Sequence, residues 1–255
     1  MPSLRLRNFI QSYWTIQRPA SSCPLPNQFL HPDGGVSLVF NFGEAWSLDN
    51  QNFNSRFLLS GPLQTTSTLR LTGAIDALGI RFLPGMAYPF LQQSLTELQS
   101  HIAHPLPLSR RFTLADMAEQ LATAASLNDR LAIIEQRLSQ RLENAPLDSP
   151  AVNHSLRWLN QTKGKQPIQQ LVDQNSISQR QLERQFKCRV GMTAKQYSKL
   201  QRVANARQLL RKASETEKLS DIAIISGYYD QAHFSREFKA VIGIPPGNFL
   251  HKLQS

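Results

Sequence analysis

The sequence has little of what metal proteins, secreted proteins and many enzymes display. Its 255 residues include only two cysteines, Cys23 and Cys188, which cannot build a disulfide framework or a metal cluster. It lacks a Gly-rich phosphate loop, a His/Glu metal spacing and a nucleophile elbow. No apolar run approaches the ~20 residues of a membrane span, and the first residues do not resemble a signal peptide. These absences favour a cytoplasmic protein that is neither secreted nor inserted in a membrane.

The histidines and the cysteine of the first half form no pattern for a metal or for catalysis. This half holds only His31, His101 and His104, and a metal site in a small β-domain would need histidines on neighbouring strands. His101 and His104 instead flank a predicted loop. Cys23 has no basic neighbour in the sequence that would favour a reactive thiolate. We therefore expect no metal, no cofactor and an inert Cys23.

Charge is distributed unevenly along the chain. Residues 151–255 contain 17 Lys and Arg against 7 Asp and Glu, whereas residues 1–150 contain 11 of each class. The formal net charge of +10 therefore belongs entirely to the last 105 residues. Such an asymmetry is typical of a domain that binds a polyanion, although a solvated basic surface would have the same composition.

The stretch Leu219–Leu250 predicts a helix-turn-helix. The apolar residues Ile222, Ala223 and Ile225 indicate a short first helix, and Gly227 supplies the left-handed turn that ends it. A second amphipathic segment begins a few residues later, as the motif requires.

This second segment has the pattern of a helix that reads DNA. Asp230 is placed to cap it, and it extends from Gln231 to about Val241. Phe234, Phe238 and Val241 recur at spacings of four and three residues, so they turn inward together. The side chains left facing outward are Gln231, Ala232, His233, Ser235, Arg236 and Lys239. A face of amide, imidazole and guanidinium groups suits the major groove of DNA.

The same unit occurs upstream, at an offset of 52 residues. The matched pairs are Gln179/Gln231, Leu182/Phe234, Arg184/Arg236, Phe186/Phe238, Lys187/Lys239, Val190/Ile242, Gly191/Gly243 and Tyr197/Phe249. Ser178 opens the upstream helix with Gln181 three residues later, which is the spacing of a capping box. Two copies of one unit predict two contacts with one DNA segment.

These residues resemble the AraC/XylS-type transcription regulators. The run IAIISGYYDQAHFSREFKAVIGIPPGNF is similar to the second helix-turn-helix of that family in its Gly-aromatic turn, its His-Phe-Ser-Arg-x-Phe-Lys segment and its Gly-x-x-Pro. The resemblance covers about Val152–Leu250. The first unit departs from the family pattern, because Ser176 stands where glycine is usual and Val172 where alanine is usual.

The resemblance implies which side chains meet DNA. The positions that match the family's base-contacting side chains are Arg180, Glu183, Arg184, Gln231, His233 and Arg236. For Arg184 and Arg236, a contact with the phosphate backbone is the alternative. The side chains that we expect on phosphates are Ser178, Lys165, Lys195, Arg202 and Lys239. The implied partners are double-stranded promoter DNA and RNA polymerase.

The first half of the chain predicts a small antiparallel β-sheet or barrel followed by helices. Short alternating runs predict strands at Val36–Phe42, Ala45–Leu48, Arg56–Leu59, Thr68–Leu71 and Leu78–Leu83. Before them, Arg5–Trp14 has apolar residues at helical spacing and predicts a short amphipathic helix. Trp14, Phe40, Phe42 and Trp46 could line a ligand cavity, although aromatic residues on strands usually belong to a core.

Two helices with apolar stripes are predicted within Phe112–Leu142. Their stripes consist of Leu114, Met117, Leu121 and Ala125 in the first helix, and of Leu131, Ile134, Leu138 and Leu142 in the second. Such stripes pack either inside their own domain or against a second subunit. The sequence does not distinguish an intramolecular core from a homodimer seam.

A segment with two prolines and no periodicity, 146–150, separates the predicted domains. We expect residues 1–145 to form an effector-sensing or dimerisation domain and residues 151–255 to form an all-α DNA-binding domain. In the latter, Ala151–Gln161 predicts the first helix, and Thr193–Arg211 predicts a long helix between the two units. About 19 residues at ~1.5 Å each give roughly 28 Å, which is comparable to one DNA turn of ~34 Å. One molecule could therefore reach two successive major grooves.

The sequence thus predicts a transcription regulator with an α+β N-terminal domain and two C-terminal helix-turn-helix units joined by a long helix. A small-molecule effector would control it through the N-terminal domain. The alternative is an enzyme or small-molecule-binding protein that uses the basic domain as a nucleic-acid tether. The sequence reveals neither the effector nor the operator, and it does not distinguish an activator from a repressor.

Overall fold

A computed structural model describes most of the chain. The described residues are 1–20, 27–44, 46–53, 55–98, 102–103, 114–143, 145, 149–174, 177–213 and 217–254. Several residues considered above lie outside these ranges, namely Cys23, Ala45, His101, His104, Phe112, Ser176 and the linker residues 146–148.

The N-terminal domain contains nine strands in the described part of the chain. Their bounds are β1 Ile10–Arg18, β2 Gln28–Leu30, β3 Ser37–Asn41, β4 Trp46–Leu48, β5 Gln51–Phe53, β6 Phe57–Ser60, β7 Ser67–Leu71, β8 Ile75–Phe82 and β9 Ile102–Ala103. They form two antiparallel sheets with the strand orders β1-β8-β3-β6-β9 and β2-β7-β4-β5. The predicted antiparallel β-domain is confirmed, with its five predicted strands at β3, β4, β6, β7 and β8.

Alternation along the strands sends side chains to two different cores. On β3, Leu38 and Phe40 point into a core between the larger sheet and the helices, whereas Val39 points into a core between the two sheets. The same switch occurs on β6, where Leu58 faces the second sheet and Leu59 faces the helices. The larger sheet is therefore buried on both faces, which explains why β3 and β6 are almost continuously apolar.

The prediction of a helix at Arg5–Trp14 is wrong, because a turn there leads into β1. This strand pairs along its length with β8, with a register shift between Ile10 and Ser12. The shift resembles a β-bulge and breaks the two-residue alternation that marks a strand. Gly79 on β8 leaves room for the indole ring of Trp14, because a Cβ at that position would overlap it.

The helices of the first domain cover the outer face of the larger sheet. Their bounds are α1 Tyr88–Leu91, α2 Leu114–Thr123 and α3 Leu127–Leu142, with a 3₁₀ turn at Leu95–Leu98. The predicted stripes of α2 and α3 lie in the core of this domain, except for Ala125, which lies beyond the end of α2 and is exposed. Arg130 of α3 forms a two-pronged ion pair with Asp76 of β8, at 2.9 and 3.0 Å. The stripes are therefore intramolecular core.

The C-terminal domain consists of helices around a single core. Their bounds are α4 Pro150–Gln161, α5 Ile168–Asp173, α6 Gln179–Val190, α7 Ala194–Lys212, α8 Leu219–Ile225, α9 Gln231–Ile242 and α10 Pro246–Gln254. The first helix begins at Pro150, with Ser149 as its N-cap, so the last two residues of the predicted linker belong to it. The predicted long helix is confirmed as α7, which has 19 residues and a capping box at Thr193.

Hydrogen bonds join the β-domain to the C-terminal ends of both α6 and α9. Thr96 Oγ1 donates to the Lys187 carbonyl of α6 at 2.9 Å. Thr66 donates to the Val241 carbonyl of α9 from its backbone N at 2.8 Å and from its Oγ1 at 3.1 Å. We refer to these bonds as the threonine contacts. The Lys187 carbonyl also accepts from the backbone N of Gly191 at 2.8 Å, so the Thr96 bond is a second one there. Because the last carbonyls of a helix lack a helical partner, Thr66 supplies donors to such a group at Val241.

Candidate nucleic-acid interface

The helix α6 is held at both ends and along one face. At its start, the Ser178 hydroxyl accepts from the backbone N of Gln181, and the Gln181 side chain accepts from the backbone N of Ser178. This confirms the predicted capping box, a motif in which two otherwise unpaired donors are satisfied. Leu182, Phe186 and Val190 are fully or almost fully buried. The opposite face of α6 is therefore left to solvent.

That opposite face carries the predicted DNA-contacting side chains of the first unit. Arg180, Glu183, Arg184 and Lys187 are all exposed. Together with Ser178 and Gln181 they line one surface groove. Glu183 accepts a long hydrogen bond of 3.4 Å from Gln179. Three cations and one carboxylate on a single helical face give a surface that attracts phosphate and offers donors to bases.

The helix α9 repeats this construction. Asp230 caps it by accepting from the backbone N of His233 at 2.6 Å, as predicted. The predicted inward residues Phe234, Phe238 and Val241 are buried, while Gln231, Ala232, Arg236 and Lys239 are exposed. The predicted short helix before it is present as α8, which buries Ile222 and Ala223 and leaves Ile225 exposed.

Both units end in the same backbone conformation. Gly191 follows α6 with φ of 79°, and Gly243 follows α9 with φ of 94°. This left-handed region is accessible to glycine without the steric cost that a Cβ brings. The matched aromatic residues Phe186 and Phe238 are both fully buried. The repeat found in the sequence is thus a repeat of caps, core and exposed face.

His233 is engaged within its own helix. Its Nε2 lies 3.5 Å from Glu237 Oε1, and its ring meets the ring of Tyr228 edge-on at 5.3 Å between centroids. About two fifths of the side chain remains exposed, 42% by relative area. A base contact by His233 would therefore compete with its interaction with Glu237.

Arg202, which was expected to contact phosphate, bonds to groups of its own domain. Its guanidinium donates to the Gly164 carbonyl at 3.1 Å and to both carboxylate oxygens of Glu237 at 3.1 and 3.2 Å. It also lies over the ring of Tyr228, 5.5 Å from the centroid. Burial raises the pKa of Tyr228, so its hydroxyl stays neutral beneath the guanidinium. Arg202 therefore braces α7 against α9, with Glu237 as its partner.

The other predicted phosphate contacts are accessible. Lys165, Lys195 and Lys239 are exposed, as is Ser178 at the start of α6. Lys165 comes from the loop before α5, yet its stem lies against Gly227, where an added Cβ would come within 2.9 Å of Lys165 Cγ. This lysine therefore lies beside the turn of the second unit, which its position in the sequence did not indicate.

Sequence reasoning missed the residues that hold the units in place. An ion pair joins Arg202 to Glu237, 35 residues away, and the threonine contacts join Thr66 and Thr96 to helices more than 90 residues away. Isolated polar residues at such separations leave no periodic or spacing signal in one sequence.

Comparison with known proteins matches the two domains separately. A family model described as a helix-turn-helix domain matches residues 171–252, and a model for a domain of unknown function, DUF6597, matches residues 1–104. Residues 171–252 form an AraC-type helix-turn-helix domain.

The AraC-type domain is shared with transcriptional activators. The chain is 29% identical over 131 residues to the HTH-type transcriptional activator RhaS of Citrobacter koseri, covering 49% of this chain and 46% of that protein. It is 30% identical over 172 residues to RhaS of Escherichia coli O1:K1, covering 62% and 60%. The chain spans about half the length of the curated relatives it matches. These relatives are transcription regulators and not enzymes.

Solved structures with AraC-type domains also match. ToxT from Vibrio cholerae O395 has a TM-score of 0.45 and 10% identity, covering 98% of this chain and 99% of that chain. In the parts of the chain that the structure describes, no helix is long and apolar enough to cross a membrane. Among the same residues, no three His, Cys, Asp or Glu side chains group together as a metal site would require.

Proposed function

We propose that this protein is a sequence-specific transcription regulator that reads double-stranded promoter DNA with α6 and α9. The observation that carries the proposal is the repeat of a capped helix with an aromatic core face and an exposed face of amide and basic side chains. The α7 helix between the units has 19 residues, so its ~28 Å length suits two successive major grooves. The confinement of the net positive charge to residues 151–255 supports the same conclusion.

Within this proposal, base reading and phosphate binding fall to different side chains. The base-reading set is Arg180, Glu183, Arg184, Gln231, His233 and Arg236. The phosphate set is Ser178, Lys165, Lys195 and Lys239, to which we add the exposed Lys187 of α6. We leave Arg202 out of this set, because its guanidinium is paired with Glu237. On each helix, the arginine and the lysine three residues later are both exposed, so they provide a matched pair. Arginine can bond two acceptors of guanine at once, whereas the lysine ammonium acts as a point charge.

The experiment compares these pairs on an operator selected from random duplexes. Arg184→Ala and Arg236→Ala should each lose about 1–3 kcal/mol on the selected operator, and also lose discrimination against unrelated DNA. Lys187→Ala and Lys239→Ala should weaken binding to both DNAs alike, because a phosphate contact carries no sequence information. If the arginine variants also lose affinity uniformly, the arginines contact only the backbone and the assignment of base readers is wrong.

We further propose that the N-terminal domain controls DNA binding in response to a small-molecule effector, and that RNA polymerase is the downstream partner. The domain is electrically neutral, so it gains nothing from phosphate, yet it contacts both α6 and α9 through the threonine contacts. A ligand shifts such a system only by its different affinity for the two arrangements. Because the named relatives are transcriptional activators, activation is the mode that we propose.

A further inference from the structure

The carboxylate of Glu237 is held in place between α9 and α7. Both of its oxygens accept from Nη2 of Arg202, at 3.2 and 3.1 Å, and Nη1 of the same guanidinium donates to the Gly164 carbonyl. Only 20% of each side chain of the pair is exposed. Hydrogen bonds between charged groups are stronger than neutral ones, so they restrict where the carboxylate can lie. Glu237 therefore presents a negative charge at a defined position on α9.

The same carboxylate faces one nitrogen of His233, a member of the base-reading set. His233 Nε2 lies 3.5 Å from Glu237 Oε1, one helical turn away. The ring of Tyr228, which is 4% exposed, meets the imidazole edge-on at an interplanar angle of 87°. The tyrosine ring and the carboxylate together restrict the orientation of the imidazole. A base contact through Nε2 would displace Glu237, whereas one through Nδ1 leaves this interaction in place.

A carboxylate beside Nε2 selects between the two neutral forms of the imidazole. In a neutral imidazole, one ring nitrogen donates a hydrogen bond and the other accepts one, and the neighbour of one nitrogen decides which. With the proton on Nε2, an N–H group points at Glu237, and the interaction is attractive. With the proton on Nδ1, the lone pair of Nε2 would face the carboxylate, and the interaction would be repulsive. Glu237 therefore favours the form in which Nδ1 is an acceptor.

We propose that Glu237 determines base specificity without touching DNA, by holding His233 in the form whose Nδ1 accepts a hydrogen bond. In the major groove, cytosine and adenine each present an amino donor, whereas guanine and thymine present acceptors only. His233 thus selects cytosine or adenine. This inference rests on the proposed function, because it requires α9 in the major groove with His233 against a base. Glu237 is then a positioning residue that acts through His233.

Replacing Glu237 by glutamine should reverse this preference. A guanidinium only donates, so the glutamine carbonyl turns towards Arg202 and its NH₂ group turns towards His233. Nε2 of His233 then accepts, and the imidazole proton moves to Nδ1, which becomes a donor. The preferred base should change from cytosine or adenine to guanine or thymine. We expect a change of about tenfold in relative affinity, as for one hydrogen bond that is left unmade.

The experiment selects operators from random duplexes with the full-length chain at pH 8, where an ordinary imidazole is neutral. His233→Ala identifies the base pair that His233 reads, because the preference should disappear there and remain elsewhere. Glu237→Gln should reverse the preference at this base pair alone. Asp221→Asn is the matched control, because it also removes one carboxylate from the second unit, at an exposed position on α8. It should select the wild-type operator.

A second measurement observes the imidazole directly, without DNA. NMR of the nitrogen-labelled chain distinguishes a protonated ring nitrogen from an unprotonated one, and the signals of His233 are those that His233→Ala removes. Nε2 should be protonated in the wild type, and Nδ1 should be protonated in Glu237→Gln. If Glu237→Gln fails to fold, the wild-type spectrum still tests the proposal, since a protonated Nδ1 would overturn it.

A double variant with His233→Gln and Glu237→Gln shows whether Glu237 acts through the imidazole. It should select the same bases as His233→Gln alone. The inference is overturned if His233→Ala changes no base preference, if the wild type prefers guanine or thymine at the His233 position, if Glu237→Gln keeps the wild-type base, or if its effect persists in the double variant. Each of these results still yields an operator. If the wild-type chain selected no preferred sequence, the proposed function itself would be refuted.

Discussion

Gly191 and Gly243 end α6 and α9 in the same left-handed conformation but in different surroundings. A Cβ added at Gly191 would lie 2.5 Å from Pro62 Cγ and 2.8 Å from the Leu95 carbonyl oxygen, both in the β-domain. A Cβ added at Gly243 would meet no described atom within 4 Å. Replacing each glycine by alanine therefore applies the same backbone penalty at two sites but adds an interdomain clash at only one.

The magnitudes follow from these two terms. The left-handed conformation costs a residue with a Cβ about 1–2 kcal/mol. Overpacking a well-filled site adds about 1–3 kcal/mol. In the full chain, we expect Gly243→Ala to lower the free energy of unfolding by the backbone term alone and Gly191→Ala to lower it by both terms. In the isolated fragment 151–255, which lacks Pro62 and Leu95, the two losses should become equal.

Denaturant unfolding of both variants in both chains measures these free energies. Proteolysis at the linker, within 146–148, would show whether Gly191→Ala releases the domains from each other before either unfolds. If both variants lost the same free energy of unfolding in the full chain, the interdomain contact at Gly191 would be refuted. A difference that persisted in the fragment would show that it arises within the helical domain.

Three further predictions concern the separate domains. The fragment 151–255 should fold alone and bind duplex DNA. Its affinity should fall steeply between low and physiological salt, because binding releases counterions from the phosphates. An affinity that did not change with salt would contradict this. Because the pKa of His31 falls from the usual 6.5 to about 4 on folding, its contribution to stability should be complete above pH 6.5 and be lost as the pH falls towards 4. His31→Gln should flatten this loss in acid unfolding curves. Leu138→Glu, at a site only 3% exposed, should unfold the N-terminal domain without changing the association state, and circular dichroism would show the lost structure. If the wild type were a dimer and the variant a folded monomer, the stripe of α3 would be a dimer interface instead.

The predictions that succeeded rest on local rules. Caps at Ser178 and Asp230, the left-handed glycines after both helices and the periodic aromatic residues each depend on neighbours within one or two turns. A second copy of the same pattern strengthens every one of these assignments. The bounds of α6, α9 and the long α7 were therefore predictable to within a residue or two.

The failures arise where distant residues decide the outcome. The segment Arg5–Trp14, expected as a helix, is a turn followed by the start of β1. This strand forms because β8 is its partner, and the irregular register near Ile10 hides the alternation. The ion pair of Arg202 could not be predicted, because Glu237 approaches it only after two helices have packed. A cavity lined by Trp46 of β4 and by Arg207 of α7 combines residues from both domains, so no single stretch of sequence contains it.

The threonine contacts have a geometrical consequence for the operator. Since Thr96 and Thr66 lie in one β-domain and bond to α6 and α9 respectively, that domain acts on the separation of the two helices. Each base pair inserted between two half-sites moves them apart by ~3.4 Å and rotates one about the duplex axis by about a tenth of a turn. A chain with its β-domain docked would accept a narrow range of half-site spacings, and the same chain with the domain released would accept a wider one. The threonine contacts would therefore also limit the half-site spacings of the operators that the protein accepts.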